Sequence, residues 1–170
     1  QVPKGKIDII GVGRLGLRIG INLMQVHRGG PKVIGAFDGQ EISGGDVIFT
    51  LYGAEIGEAK PDFLKRICTH DEDFRKIESH PEYITKENID QINGDVIIIV
   101  IAGGNTISTA SQIVKHAHNI GAKTIGTAGI FGFGDENIEI KDISEYDNNN
   151  PAVEELRQHG ITENHLVLTT

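Results

Sequence analysis

The sequence predicts an α/β fold with a doubly wound, mainly parallel sheet and antiparallel strands near its C-terminal end. The first observation is an apolar run, Ile7, Ile9, Ile10 and Val12, that ends in a glycine-rich turn and leads directly into a helical pattern. The second is another strand pattern, Val33–Phe37, that ends in Asp38. The third is the unbroken β-branched run at 95–102, which is typical of a central parallel strand covered on both faces. Together they indicate a Rossmann-like arrangement.

Composition limits the class of protein. The chain has 170 residues, which suits a single domain spanning 1–170. A net charge of −8 argues against a general nucleic-acid or membrane surface, so neither is an expected partner. Its single cysteine, Cys68, excludes an internal disulfide and is expected in the core. The longest apolar run is far shorter than the ~20 residues of a membrane span, and we expect a cytoplasmic protein.

The first turn reads Gly11-Val12-Gly13-Arg14-Leu15-Gly16, a GxGxxG pattern between a strand and a helix. In that context Gly11 can adopt a tight turn, and Gly13 lets the backbone approach a phosphate closely. Gly16 allows the helix to pack against the strand, and the N-terminus of the helix offers unpaired N–H donors to an anion. The predicted phosphate-binding set is therefore Gly11, Gly13, Arg14, Leu15 and Gly16.

Asp38 ends the second strand about 20 residues after the glycines. A carboxylate at that point is placed to accept hydrogen bonds from both hydroxyls of a ribose. The alternative is a solvated aspartate at the end of a strand beside an ordinary tight turn. We favour nucleotide binding, because the turn and the acidic strand end occur together.

The pattern predicts a first helix over residues 14–27, with an apolar stripe of Leu15, Ile19, Leu23 and Val26. Residues 39–57 resemble a loop, and the apolar run 47–52 has no pattern that assigns it to a helix or strand. Lys60 precedes Pro61, which suits the first turn of a helix, so Lys60 is expected at a helix N-terminus. There its ammonium group would suit a phosphate, and the alternative is a surface lysine.

A short strand is predicted at 74–77, and a short helix with a capping-box-like start at 85–90. The strand at 95–102 is followed by Gly103, Gly104 and Asn105, and then by a helix over 106–119. Further on we expect a strand at 123–128, an antiparallel strand at 137–142, a helix at 152–159 and a last strand at 165–168. Because ligands bind beyond the carboxyl ends of such strands, residues 103–106 should face the same crevice as the glycine turn.

This ordered set of motifs resembles the ThiF and MoeB type of adenylylating protein, in the ubiquitin-activating superfamily. The matching pieces are the glycine turn, Phe37-Asp38, Ile56-Gly57 with Lys60 just after, 87–89 leading into the strand at 95, and 126–134. They follow the family's order over most of the chain. Within the superfamily the chain is most similar to the short, zinc-less branch associated with biosynthesis of the iron-guanylylpyridinol cofactor of methanogen [Fe]-hydrogenase.

The resemblance implies a cofactor, a reaction and a partner. The family binds ATP with Mg²⁺ and transfers AMP to a carboxylate, releasing pyrophosphate, and its members are homodimers. The substrate here would be a small-molecule carboxylic acid, with the guanylylpyridinol carboxylate as the candidate. Asp38 would hold the ribose and Lys60 would meet the phosphates. The implied catalytic residues are Lys60, Asn105 and Arg14, and the implied nucleotide-binding set also includes Gly103 and Gly104.

The sequence departs from the family pattern at three points. The family's Asn-Leu-x-Arg-Gln segment should fall near 44–48, where no arginine is present, so Arg14, Arg18 or a partner subunit would have to supply that charge. The metal-binding aspartate of the family aligns with Asn105 or Gly104. Asn105 is therefore a candidate Mg²⁺ ligand, although it could equally cap the helix that begins at Thr106. The paired cysteines of a zinc site are absent.

Two other functions are compatible with the same residues. One is a NAD-binding domain of a dehydrogenase or regulator, whose fingerprint would also combine GxGxxG with Asp38. The other is a nucleotide-binding module that has kept the fold without the chemistry, which Asn105 in place of an aspartate allows. A comparison of ATP and NAD binding would distinguish the NAD-binding domain from the adenylylating enzyme. Pyrophosphate release would distinguish the enzyme from the nucleotide-binding module.

Overall fold

The computed structural model describes residues 1–68, 72–101, 106–128 and 137–170. Within these residues, seven strands form a sheet in the order β3-β2-β1-β4-β5-β7-β6. Each neighbouring pair is parallel except β6 and β7, which are antiparallel. The predicted fold class is confirmed. The strands are β1 (Lys6–Ile10), β2 (Val33–Phe37), β3 (Lys76–His80), β4 (Val96–Ile99), β5 (Lys123–Thr127), β6 (Glu139–Asp142) and β7 (Leu166–Thr169).

Helices cover both faces of the sheet. The first three pack on the face formed by β1 to β3, where Ile9, Ile34 and Phe63 are fully buried. The last two pack on the opposite face, around Ile97 and Val167. The helices are α1 (Arg14–Met24), α2 (Val47–Leu51), α3 (Lys60–Ile67), α4 (Thr106–Asn119) and α5 (Pro151–Gln158), and two short 3-10 turns lie at Ile89–Gln91 and Ile143–Glu145. No helix among the described residues is both long and apolar enough to cross a membrane.

Helix α1 differs from its prediction in length and in its buried face. It ends at Met24 rather than at residue 27, and Leu15 of the predicted stripe is 42% exposed. The fully covered positions are instead Gly16, Leu17 and Gly20. A Cβ at Gly20 would lie 2.7 Å from Cδ2 of Leu64 in α3. Helix α1 therefore packs through its glycines, a close approach that an apolar stripe does not reveal.

Three other segments correct the sequence predictions. The unassigned run 47–52 contains α2, which is anchored by fully buried Phe49. The strand predicted at 74–77 is displaced to Lys76–His80, where it pairs with β2. The helix predicted at 85–90 is a turn closed by Asn88, whose Oδ1 accepts from the backbone N of Thr85 at 2.7 Å, before the 3-10 turn Ile89–Gln91. Asparagine side chains favour such local turns over continued helix.

His165 is a buried polar residue beside β7. It is 3% exposed, and its Nδ1 lies 2.7 Å from Oγ1 of Thr124 on β5. Burial, with a smaller contribution from nearby His118, lowers the pKa of His165 to about 4. The imidazole is therefore neutral in the folded protein at pH values where an unfolded chain already binds a proton.

This difference predicts acid sensitivity. The contribution of His165 to stability is complete above its unfolded pKa of about 6.5 and is lost as pH falls towards 4, by up to about 3 kcal/mol. Urea denaturation at a series of pH values should show this decline in the free energy of unfolding. His165→Gln should flatten the profile between pH 6.5 and 4, whereas His27→Gln, at an exposed position, should not. An unchanged slope in His165→Gln would assign the acid sensitivity to carboxylates instead.

Candidate functional site

A cleft of about 650 Å³ opens at the carboxyl ends of β1, β2 and β4. Its position is the one that a doubly wound sheet provides for a ligand. Most of the sequence-predicted residues within the described part of the chain meet here. The lining residues are Ile10, Gly11, Gly13, Arg14, Phe37, Asp38, Gln40, Gly45, Asp46, Val47, Ile48, Lys60, Glu82, Tyr83, Ile84, Val100, Ile101, Thr106 and Thr109.

The three glycines of the first turn have different surroundings. Gly11 has φ +102°, and a Cβ there would lie 2.7 Å from the carbonyl oxygen of Val100. A Cβ at Gly16 would overlap the carbonyl oxygen of Gly11. At Gly13, in contrast, no described atom lies within 4 Å of the Cβ position. Gly11 and Gly16 therefore permit the turn itself, while Gly13 leaves open space in the cleft for a ligand to approach the backbone.

Asp38 links the glycine turn to the loop after β2. Its Oδ2 accepts a hydrogen bond from the backbone N of Val12 at 2.8 Å, and its Oδ1 accepts from the backbone N of Gln40 at 2.8 Å. These bonds fix the carboxylate at the rim of the cleft. Each carboxylate oxygen has a second lone pair, so Asp38 can still accept from a ligand hydroxyl.

Lys60 is the first residue of α3 and only 6% exposed, so it is not a surface lysine. Its Nζ donates to Oε1 of Gln40 at 2.9 Å and lies 3.4 Å from Oδ1 of Asp46. The same atom is 5.2 Å from the centroid of the Phe49 ring. These contacts hold the ammonium group at the wall of the cleft, where Lys60, Asp46 and Gln40 all line the cavity.

Asp46 was not among the residues predicted from the sequence. Its Oδ2 accepts hydrogen bonds from the backbone N and the hydroxyl of Ser43. The backbone N–H of Ser43, assisted by the charge of Lys60, lowers the pKa of Asp46 below its ordinary value. The segment where the resemblance would place a phosphate-clamping arginine thus contains a stable anion. An acidic residue directly before an apolar run was the signal available in the sequence.

The other predicted residues fall into three groups. Arg14 lines the cleft, and its side chain makes no hydrogen bond or ion pair with the part of the chain that the structure describes. Leu15 and Arg18 are exposed and do not line the cleft. The predicted site residues Gly103, Gly104 and Asn105 lie outside the described residues.

Two cleft residues after β3, Glu82 and Tyr83, were also missed. A Cβ at Gly39 would overlap the ring of Tyr83, so the tyrosine lies directly over the residue after Asp38. Tyr83 is nevertheless 63% exposed. No pattern in the sequence connects positions 39 and 83, because their proximity depends on the pairing of β2 with β3.

Cys68 has no catalytic position. It is buried at the end of α3, and burial raises the pKa of its thiol to about 11. The thiolate needed for nucleophilic chemistry is therefore scarce at neutral pH. Among residues 1–68, 72–101, 106–128 and 137–170, no group of three or more histidine, cysteine or acidic side chains could hold a metal ion.

Comparison with known proteins identifies a relative that matches nearly the whole of this chain. The structure of HcgE from Methanothermobacter marburgensis, with guanylylpyridinol and ATP bound, is 43% identical, with a TM-score of 0.94 over 99% of this chain and 82% of that one. An uncharacterized protein of Methanocaldococcus jannaschii is 43% identical over 140 residues, 82% of this chain. Those residues are 56% of the relative, so the chain spans just over half its length. No protein-family model matches.

More distant structures share the fold. E. coli tRNA N6-threonylcarbamoyladenosine dehydratase, TcdA, in complex with ATP, is 14% identical, with a TM-score of 0.80 over 98% of this chain and 73% of that one. E. coli MccB with ATP is 17% identical, with a TM-score of 0.61 over 81% of this chain and 39% of that one. At these identities the likeness concerns the arrangement of strands and helices alone.

Proposed function

Since the chain belongs to the HcgE family, within the ThiF/MoeB-type superfamily, we propose that it adenylylates a small-molecule carboxylate with ATP. The observation that carries this proposal is the convergence of three elements in one cleft: the open glycine turn at Gly13, the carboxylate of Asp38 and the buried ammonium group of Lys60. The specific acid we propose is guanylylpyridinol, the molecule bound with ATP in HcgE.

In the proposed reaction a carboxylate oxygen of the acid attacks the α-phosphorus of ATP. The new oxygen–phosphorus bond forms as the bond to the β-phosphate oxygen breaks, and the electron pair leaves with pyrophosphate. The protein has no covalent role in such a transfer, so positioning and charge stabilisation dominate. The N–H groups at the start of α1 would contact the phosphates, with Lys60 and Arg14 supplying positive charge. Asp38 would hold the ribose.

Lys60 already has an anionic neighbour. Its Nζ carries three donors, of which Gln40 and Asp46 account for two in this structure. An arriving triphosphate would compete with Asp46 for the same ammonium group. The family's arginine would add positive charge at this end of the cleft, and Arg14 is the described cleft residue able to replace it.

Mg²⁺ is part of the proposal, but the described residues do not form a site for it. Oδ1 of Asp46 faces the ammonium group of Lys60 and its Oδ2 accepts from Ser43, so Lys60 would repel a second cation at this carboxylate. Asn105, the candidate ligand from the resemblance, lies outside the described residues. Magnesium commonly binds through substrate phosphates with one or two protein carboxylates.

We also propose that the protein is a homodimer. On the sheet face opposite α4 and α5, Ile125, Leu166, Leu168 and Ile140 are at least partly exposed, and no described helix packs on them. Several apolar side chains side by side on one uncovered face are typical of an interaction surface. Light scattering should report a dimer that Leu166→Lys dissociates, whereas Leu51→Lys, at a more exposed leucine on α2, should not. Dissociation by Leu51→Lys alone would place the interface on α2.

The proposed activity is tested by combining a binding and a turnover measurement. ATP with Mg²⁺ should raise the thermal midpoint and NAD should not. Adding guanylylpyridinol should then start pyrophosphate release, and an analogue lacking its carboxylate should not. Stabilisation by NAD without stabilisation by ATP would favour a dehydrogenase-type domain. ATP binding without pyrophosphate release would favour a nucleotide-binding module that lacks the chemistry.

Gly13→Ala should weaken ATP binding while leaving the fold intact. The Cβ position at Gly13 is free of described atoms, and its φ of −85° is accessible to alanine. A phosphate at the turn would meet the new methyl group, and overpacking of this kind costs about 1–3 kcal/mol, or roughly 5- to 150-fold in affinity. Gly44→Ala, where the Cβ position is equally open but outside the cleft lining, is the matched control. Equal ATP affinity in both variants would place the phosphates elsewhere.

A further inference from the structure

Three segments follow one another along the carboxyl edge of the sheet, because β3, β2 and β1 are parallel neighbours. The glycine turn follows β1, Asp38 follows β2, and residues 81–84 follow β3. The carbonyl of His80 accepts from the backbone N of both Asp38, at 3.3 Å, and Glu82, at 2.8 Å. With phosphates at the glycine turn and a ribose at Asp38, the base of the nucleotide falls at residues 82–84.

Glu82 is unusual within this third segment. It is partly buried and lines the cleft together with Phe37 and Ile84, whose side chains are apolar. Its carboxylate has no hydrogen bond or ion pair with any residue that the structure describes. The oxygens of Glu82 are therefore free to accept from a ligand that displaces the water around them.

Tyr83 lies at the outer edge of the part of the cleft that Glu82, Phe37 and Ile84 line. Its ring lies over Gly39, which has no side chain to displace it, and most of the ring remains exposed at the mouth of the cleft. A flat ligand ring entering beside Asp38 would therefore meet Tyr83 on the outside and the apolar side chains of Phe37 and Ile84 within. Glu82 is the acidic residue of this segment at that end of the cleft.

We propose that Glu82 is a specificity-determining residue that accepts a hydrogen bond from the exocyclic amino group of adenine. This inference rests on the proposed use of ATP. A carboxylate is purely an acceptor, so it favours a base whose edge presents a donor. Adenine presents its 6-amino group as that donor, and unsubstituted purine lacks it, so a comparison of these two bases isolates this one hydrogen bond.

The test is a thermodynamic cycle in which the side chain at position 82 and the amino group of the base are removed separately and together. The measured quantity is the binding affinity by calorimetry, not the rate of turnover. Wild type and Glu82→Ala are each titrated with ATP and with purine riboside triphosphate, which lacks the amino group. A hydrogen bond to a charged group predicts that Glu82→Ala weakens ATP binding about 10- to 150-fold. Purine riboside triphosphate should bind wild type more weakly than ATP by a similar factor, and Glu82→Ala should not weaken it further.

Two further variants make the cycle specific. Glu82→Gln retains an acceptor oxygen without the charge, so its loss of ATP affinity should be smaller than that of Glu82→Ala. It also supplies a folded comparison if the alanine variant is unstable. Glu87→Ala removes an exposed carboxylate from the next turn, which does not line the cleft, and should leave both affinities unchanged.

The outcomes separate this inference from the proposed function. Equal weakening of ATP and purine riboside triphosphate by Glu82→Ala would overturn the assignment of Glu82, as would no weakening of either. Tighter binding of GTP than ATP by wild type would refute the proposed use of ATP, and this inference with it, because a carboxylate pairs with the two adjacent donors of guanine. Wild type that binds neither ATP nor its analogue would refute the proposed function itself, and this inference with it.

Discussion

Lys60→Met should lower the rate of pyrophosphate release about 10²- to 10³-fold, the usual cost of removing one preorganised charge or donor from a transition state. Methionine retains most of the length of the side chain, but it has no ammonium group to lie over Phe49 or to pair with Asp46. The negative charge of Asp46 would then face the phosphates without its partner, since Ser43 keeps the pKa of Asp46 low. The measurement is single-turnover kinetics with ATP and the acid.

Two controls establish that the loss concerns charge in the cleft. Lys65→Met removes an exposed lysine from the same helix and should leave the rate unchanged. Lys60→Met should keep a thermal midpoint close to that of wild type, because Gln40 and Asp46 both line the cleft and can be solvated there. Retention of more than about a third of the wild-type rate would mean that Lys60 has only a structural contact with Asp46.

Local signals in the sequence predicted much of the fold and part of the site. The turn at Gly11 and Gly13 was recognisable because its strand, glycines and helix are contiguous. The same is true of Lys60, which Pro61 places at the start of α3. The alternating pattern around β6 correctly indicated an antiparallel strand, because a half-exposed strand alternates while a buried parallel one does not.

The residues that were missed depend on contacts between distant positions. Asp46 reaches Lys60 across a loop, α2 and the start of α3, and a single sequence contains no record of that pairing. Tyr83 meets Gly39 because β3 pairs with β2, which no local pattern specifies. The glycine packing of α1 was misjudged for a related reason, since an apolar stripe predicts burial only where side chains make the contact.

Arg75 was also missed, because the sequence around it does not distinguish it from a surface arginine. It is 1% exposed and donates to four backbone carbonyls at the end of α1 and in the turn that follows. Nε donates to Pro31 at 2.6 Å, Nη2 to Gly29 at 2.6 Å, and Nη1 to Val26 at 3.0 Å and Met24 at 3.2 Å. One side chain thus satisfies the carbonyls that the helix end leaves unpaired.

Arg75→Met should therefore lower the free energy of unfolding by about 3–5 kcal/mol, since several buried acceptors lose their donor at once. Urea denaturation measures this directly. Arg66→Met is the matched control: that arginine is half exposed and pairs with Glu58 in contact with solvent, so its loss should change the free energy of unfolding little. Arg75→Lys should fall between them, because one ammonium group cannot replace a planar fork bonded to four oxygens. A loss below about 1 kcal/mol in Arg75→Met would show that water reaches these carbonyls.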